Sequence, residues 1–269
     1  MITIGKSSIY TDEDCNLDWI RGQKAGVIGY GNQGRAQALN LRDNDINVRI
    51  GLRKNSASAP AVGKDELQHD NIGNVCHWAD VIVMLIPDDQ IPSIYEKYVC
   101  PNLDDQKKVI FAHGYAVRYK TIHITTPESV ILVSPSGPGK LLRSRFISGN
   151  GIPALVAAMD DSDVSFGNAL SYAKAIGCTR IFALKTTFQE ETETDLFGEQ
   201  AVLTGGLPAL IISAYNAMIA KGFQPVAAWL VCFYEVQLIV DLFSNQGIDG
   251  MYNSISSTAA FGGITRGER

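Results

Sequence analysis

Ala25-Gly26-Val27-Ile28-Gly29-Tyr30-Gly31-Asn32-Gln33-Gly34 is the stretch from which the rest of the chain can be read. Residues 25–29 form a near-continuous apolar run, the mark of a buried strand. Glycine recurs at Gly31 and Gly34, and a helical pattern follows at 35–41. Strand, glycine-rich turn and helix in that order make a dinucleotide-binding fingerprint. Glycine lets the main chain approach a pyrophosphate, and the helix N-terminus turns aligned N–H donors toward it. A plain tight turn would use the same glycines, but it would not need the strand before and the helix after. Gly29, Tyr30, Gly31, Asn32, Gln33 and Gly34 are therefore candidate cofactor-binding residues.

Beyond this turn, runs rich in Val and Ile at 48–52, 81–86, 109–112 and 130–133 alternate with helical segments. That pattern predicts a Rossmann-type, doubly wound α/β domain whose parallel sheet is covered on both faces. After Thr187 the pattern stops. Residues 203–221 and 226–243 read as long helices, apolar nearly all round. Such helices are expected to be buried, in a bundle core or against a partner subunit. The expected boundary is near residue 182, with the α/β domain at 1–182 and an all-α domain at 183–269.

The second strand chooses the cofactor. An NAD site usually carries an acid about 20 residues beyond the glycines, on the ribose hydroxyls. Here the strand ends in Gly51-Leu52-Arg53-Lys54-Asn55-Ser56-Ala57-Ser58. Cations and hydroxyls suit a 2′-phosphate, because Arg forks onto its oxygens and Ser donates to them. Arg53, Ser56 and Ser58 are the candidates, and NADPH the expected cofactor. The plainer alternative is a polar surface loop.

Five acids fall between Glu190 and Glu199. If this stretch is helical, Asp195 and Glu199 are one turn apart on one face. Two carboxylates so placed repel unless a cation lies between them, and hard ions such as Mg²⁺ favour carboxylate and water ligands. The competing reading is a solvated acidic helix start. Glu235 is a lone acid in an apolar helix, and a buried carboxylate there would need a metal, a cation or a wet face.

Composition narrows the partners. The chain has 269 residues, 46% hydrophobic and 19% charged, enough for a sizeable core. A net charge of −5 and the lack of any Lys/Arg-rich run argue against nucleic acid. The first 14 residues lack the pattern of a signal peptide. The apolar stretches are interrupted before about 18 positions, so no membrane span is expected. Cys15, Cys76, Cys100, Cys178 and Cys232 form no CxxC pair, which fits reduced thiols in a cytoplasmic protein. His69, His77 and His123 show no ligand spacing and read as surface or loop residues.

Taken together, these residues resemble the ketol-acid reductoisomerase family, in its short-chain form, along nearly the whole chain. The resemblance is carried by residues 26–34, by Gly51-Leu52-Arg53 with Ser56 and Ser58, and by Ile86-Pro87-Asp88. It continues through Ala112-His113-Gly114, Gly137-Pro138-Gly139 with Arg143, the acidic run 190–200, residues 238–242 and Ser254-Ile255-Ser256. The acidic run is the most specific of these. The resemblance implies an acetohydroxy acid held across two Mg²⁺ ions, migration of an alkyl group, and hydride delivery from NADPH to the new 2-keto acid. It implies Pro87, Asp88 and Gly139 beside the cofactor, with His113 near the nicotinamide. It also implies Asp195 and Glu199 as metal ligands, Glu235 as a ligand given to a neighbouring subunit in a homodimer with a shared active site, and Ser256 on the substrate carboxylate.

Three positions depart from the family pattern. Val231 stands where a second metal glutamate is expected, Ser136 where a lysine precedes Gly-Pro-Gly, and Ala260 where an acid follows Thr-Ala. Lys140 follows the tripeptide in place of a histidine, either returning a catalytic cation or merely solvated. The resemblance further implies helices beyond Arg269. Migration needs both metals, whereas hydride transfer needs only NADPH, orientation and polarisation. The expectation is therefore an NADPH-dependent reductase of a small 2-keto acid or imine, with weak isomerisation. The alternatives are a full ketol-acid reductoisomerase of branched-chain amino-acid synthesis and a non-catalytic NADPH-binding sensor or scaffold.

Overall fold

The computed structural model describes residues 2–4, 7–104 and 106–267, with residues 2–4 as backbone alone. Arg269, where the sequence ends, lies outside the described residues. The chain divides into two compact units, Met1–Thr194 and Asp195–Arg269.

The first unit is built on a ten-stranded sheet. Its strands are β1 (Ile2–Ile4), β2 (Ser7–Tyr10), β3 (Lys24–Ile28), β4 (Asn47–Leu52), β5 (Gln68–Asn71), β6 (Val81–Met84), β7 (Lys108–Phe111), β8 (Val130–Pro135), β9 (Ala154–Ala158) and β10 (Ala183–Lys185). They lie in the order β1-β2-β10-β9-β8-β7-β6-β3-β4-β5. From β5 to β8 every neighbouring pair is parallel. The chain winds outward from β3 in both directions, so β3 and β6 flank the topological switch point, where α/β sheets bind ligands.

The five strands expected from the sequence, β3, β4, β6, β7 and β8, form a parallel block as expected, and the sheet becomes mixed beyond β8. β9 runs antiparallel to β8, and β2 runs antiparallel to both β1 and β10. Around the sheet lie α1 (Asp18–Arg21), α2 (Asn32–Asp43), α3 (Ala59–Lys64), α4 (Ile72–Trp78), α5 (Ile91–Ile94), α6 (Tyr115–Arg118), α7 (Gly139–Ile147) and α8 (Asp163–Ala175). Alternate strand residues feed separate cores on the two faces. Val27, Ile50, Val83 and Ile131 join one with α2 and α8, while Ile28, Ile82, Val109 and Leu132 join the other with α4. Burial on both faces is why these strands read as continuous apolar runs.

Helix α9 (Phe188–Phe197) runs through the division between the units. The second unit holds α10 (Gly206–Ala220), α11 (Pro225–Trp229), α12 (Glu235–Asn253) and α13 (Ser257–Arg266). One expectation is corrected here, that the apolar stretches are too short to span a membrane. The helical runs Phe188–Ala220 and Pro225–Asn253 are long and apolar enough to cross a membrane by length and composition. The helix continues through the glycine, proline and polar residues that interrupt the apolar stretches in the sequence. In the single chain these helices form no buried bundle core: among the described residues of this unit, only Ala228, Cys232 and Met251 are buried. Leu210, Phe223, Val226 and Leu230 all face outward.

Candidate active site

Two adjoining grooves open where the chain leaves β3 and β6. One is lined by Gly29, Tyr30 and Gly31 with Arg53, Ser56 and Ser58. The other is lined by Gly31, Asn32 and Gln33 with Pro87, Asp88 and His113. Gly31 and Pro87 line both, so the fingerprint turn joins the phosphate-binding candidates to the histidine.

The three glycines of the turn differ in what they meet. Gly29 has φ +96°, a conformation glycine adopts without strain, and a Cβ there would collide with the Leu85 carbonyl. A Cβ on Gly34 would strike the carbonyl of Gly29. A Cβ on Gly31 would meet nothing within 4 Å. The protein's own packing therefore gives no reason for glycine at 31, whereas a pyrophosphate drawn up to the backbone does. With Arg53, Ser56 and Ser58 on the same groove, these residues fit NADPH.

His113 is anchored by a residue that the sequence reading quoted but gave no role. Glu191, on α9, is fully buried. Its Oε1 lies 3.0 Å from His113 Nδ1, and its Oε2 accepts the Gly114 N–H at 2.8 Å. An ionised carboxylate can only accept, so Nδ1 carries the proton and the imidazole is held in one orientation. Burial pushes the Glu191 carboxyl up, but the bonds from His113, Ser134 and Gly114 outweigh it and leave it below its ordinary value. Gly114 must be glycine because a Cβ there would collide with Thr192 Oγ1 and the Phe188 carbonyl. Asp88 stands at the groove rim, where desolvation raises its carboxyl, opposed by His113 and reinforced by Glu191. Only the pairing of a buried acid with a loop histidine could have revealed Glu191, and sequence spacing does not carry that.

Glu190 and Glu193 find separate partners. Thr187 Oγ1 caps the helix start by accepting the Glu190 N–H at 3.0 Å, and Thr186 donates to Glu190 at 2.6 Å. Arg118 donates to Glu193 at 2.9 and 2.5 Å. Asp195 lies one helical turn beyond Glu191 on α9.

A buried relay steadies the glycine-rich loop. Tyr172 O–H donates to Gln37 Oε1 at 2.7 Å, Gln37 Nε2 to Gln33 Oε1 at 3.1 Å, and Gln33 Nε2 to the Gly137 carbonyl at 2.8 Å. Gly139 packs so closely on Asn32 that a Cβ would strike its carbonyl. Lys140, a candidate catalytic cation, lines a different pocket with Arg35 and Arg143, between α2 and α7. It is not among the residues lining the groove of Asp88 and His113, although its N–H donates to Asn32, which does line that groove.

In the second unit, Glu199 sits in a π-type turn (Gly198–Leu203), and Glu235 directly follows another (Leu230–Tyr234). Wider turns of this kind recur at functional sites because they re-aim side chains. Glu235 is exposed rather than buried, which removes the desolvation argument for its role. Asp195, Glu199 and Glu235 are not gathered into one group of ligand atoms in the single chain, among the described residues. As a donor set of carboxylates without a soft ligand they suit Mg²⁺. Val231 lies in the π-type turn before Glu235, and Ala260 within α13. Ser256 caps α13, its Oγ accepting the Ala259 N–H at 3.2 Å. His69, His77 and His123 are exposed.

Comparison with known proteins identifies both parts of the chain. Residues 19–181 match the NADPH-binding domain of acetohydroxy acid isomeroreductase, and residues 188–269 match the C-terminal domain of ketol-acid reductoisomerase. A ketol-acid reductoisomerase (NADP(+)) of Pyrobaculum calidifontis is 46% identical over 264 residues, covering 98% of this chain and 80% of that protein. The structure of an NADH-preferring ketol-acid reductoisomerase from an uncultured archaeon superimposes with a TM-score of 0.91 at 36% identity, over 97% of this chain and 81% of that one. A pyrroline-5-carboxylate reductase from Coxiella burnetii shares the fold alone, with a TM-score of 0.62 at 15% identity over 91% of each chain. On these matches and the groove they explain, the chain belongs to the ketol-acid reductoisomerase family, NADP-dependent oxidoreductases that work with NADPH and Mg²⁺.

Proposed function

We propose that this chain catalyses the full ketol-acid reductoisomerase reaction on a small acetohydroxy acid, in branched-chain amino-acid synthesis. The observation that carries the reading is His113, held by Glu191 of the acidic helix in the same groove as the fingerprint turn. The first unit thus holds both the cofactor turn and the start of the family's acidic signature, as far as Thr194. The 46% identity to a protein named for the whole reaction supports this reading better than it supports reduction without isomerisation.

In the reaction an alkyl group leaves the carbinol carbon for the adjacent ketone carbon, and the carbinol oxygen becomes the new ketone. A hydride then reduces that ketone to a dihydroxy acid. Bound Mg²⁺ supplies charge stabilisation at the substrate oxygens, and NADPH supplies the hydride. Asp195, Glu199 and Glu235 would hold the metal, the last from a second copy in a homodimer. Arg53, Ser56 and Ser58 hold the 2′-phosphate, while Gly29 to Gly34 present main-chain N–H groups to the pyrophosphate. Pro87, Asp88 and Gly139 bound the cofactor path. Glu191 fixes His113 beside the nicotinamide, and Ser256 meets the substrate carboxylate. Five free thiols fit a cytoplasmic setting, and the exposed apolar helices fit a homodimer better than a membrane, because the fingerprint unit needs water-soluble reactants.

Ser136 and Val231 favour one second reading, reduction alone. The test offers 2-acetolactate with NADPH and Mg²⁺ and identifies the product by NMR. The dihydroxy acid is expected. Reduction of a supplied 2-keto acid with no conversion of acetolactate would overturn the proposal.

A further inference from the structure

The residues expected to grip the 2′-phosphate sit on a segment whose position is set from outside the groove. Arg53 to Ser58 form consecutive turns: the Ser56 N–H donates to the Arg53 carbonyl at 3.1 Å, and the Ala59 N–H to the Ser56 carbonyl at 3.2 Å. The last turn runs directly into α3, where the Val62 N–H donates to the Ser58 carbonyl at 3.1 Å. Val62 is fully buried, and Asp65 closes the helix with its N–H on the Ala61 carbonyl. A shift of Asp65 is therefore passed back through one short helix to Ser58 and Ser56.

Asp65 is tied to the fingerprint at three points. Tyr30, the residue between Gly29 and Gly31, donates its O–H to Asp65 Oδ2 at 2.8 Å. Arg35, on the first turn of α2, donates from Nε at 2.6 Å and from NH2 at 2.8 Å, a two-pronged grip on one carboxylate. Arg42, on the last turn of α2, donates to the Asp65 carbonyl at 2.6 Å. Neither Arg35 nor Asp65 lines the groove itself. The Arg35 guanidinium holds the Asp65 carboxyl down at about 2, so the pair stays ionised throughout the working range.

We propose that Asp65 is a positioning residue for cofactor selection, its carboxylate locking the 2′-phosphate loop at a fixed distance from the pyrophosphate turn through Tyr30 and Arg35. NADPH must satisfy both ends of that span, whereas NADH engages the pyrophosphate turn without the 2′-phosphate. Loosening the lock therefore weakens NADPH binding selectively. A merely structural role for the same network would lower both affinities together.

The proposal rests on the NADPH reading above. The experiment measures equilibrium binding of NADPH, NADH and 2′,5′-ADP by calorimetry on the full chain. It compares wild type with the charge-balanced double variant Arg35→Gln/Asp65→Asn and with Tyr30→Phe. Both leave the net charge unaltered, so long-range attraction for the phosphate is kept constant. The double variant is expected to bind NADPH and 2′,5′-ADP about tenfold more weakly, with NADH within about twofold. Tyr30→Phe, which keeps the Arg35 grip and serves if the double variant does not fold, should move NADPH about two- to fivefold the same way. Equal losses for NADPH and NADH, or no loss for either, overturn the proposal. A wild type that does not favour NADPH overturns the cofactor reading as well, which separates the two failures.

Discussion

Gly31 and Gly34 belong to one motif but constrain the molecule differently. The space before Gly31 is open, so Gly31→Ala should fold with a melting temperature within about 2 °C of wild type and bind NADPH at least about tenfold more weakly. Gly34 faces its own turn, so Gly34→Ala should lose about 1–3 kcal/mol of stability through overpacking. A thermal melt paired with NADPH titration checks both, and the reverse pattern would contradict the division of roles. Glu191 permits a sharper test. Glu191→Gln keeps the shape but supplies an amide where two donors expect a carboxylate, and should lower kcat by about 10- to 100-fold through misplacement of His113. Unchanged kcat in a folded variant would show that His113 needs no such anchor. Asp65 has a pH signature. Its folded value of about 2 lies below the ordinary 3.8, so its contribution is complete above about pH 4 and disappears as pH falls toward 2. The gap in unfolding free energy between wild type and Asp65→Asn, about 2 kcal/mol at most, should close over that window. A gap that stays constant down to pH 2 would contradict the ion pair.

Elements that bury both faces announce themselves, and those that do not stay silent. β3, β6, β7 and β8 were legible because their apolar residues feed the cores on both faces, and β4 because Val48, Ile50 and Leu52 alternate along one face. β5 was not, because Gln68-His69-Asp70-Asn71 is a polar edge strand facing water. The antiparallel turn of β9 against β8 has no local sequence signal, since direction is set by the chain's path and not by composition. The acids of α9 were visible as a cluster, yet their individual partners Thr186, His113 and Arg118 lie outside it and only the fold brings them near. The same holds for the relay from α8 through α2 to the glycine-rich loop. Tyr172 and Gln37 are fully buried, so Tyr172→Phe leaves the Gln37 oxygen without its donor and should cost about 1–3 kcal/mol in chemical denaturation. A loss below about 0.5 kcal/mol would mean that the relay is not under tension from its buried end.

At the scale of the whole molecule, the two units state different things about themselves. The first has a closed core on each side of its sheet. The second presents Leu210, Ile212, Phe223, Val226 and Phe261 to solvent when the chain is alone. The proposed homodimer would cover this exposed apolar surface. Sedimentation at micromolar concentration should therefore find a species of twice the chain mass, and a stable monomer would contradict the homodimer. The measurement that bears most directly on the account is a crystal structure of the protein grown with NADPH. The account predicts the 2′-phosphate against Arg53, Ser56 and Ser58, the pyrophosphate over Gly31, and the nicotinamide beside His113. NADPH bound elsewhere, or its 2′-phosphate turned away from Arg53 toward solvent, would contradict it.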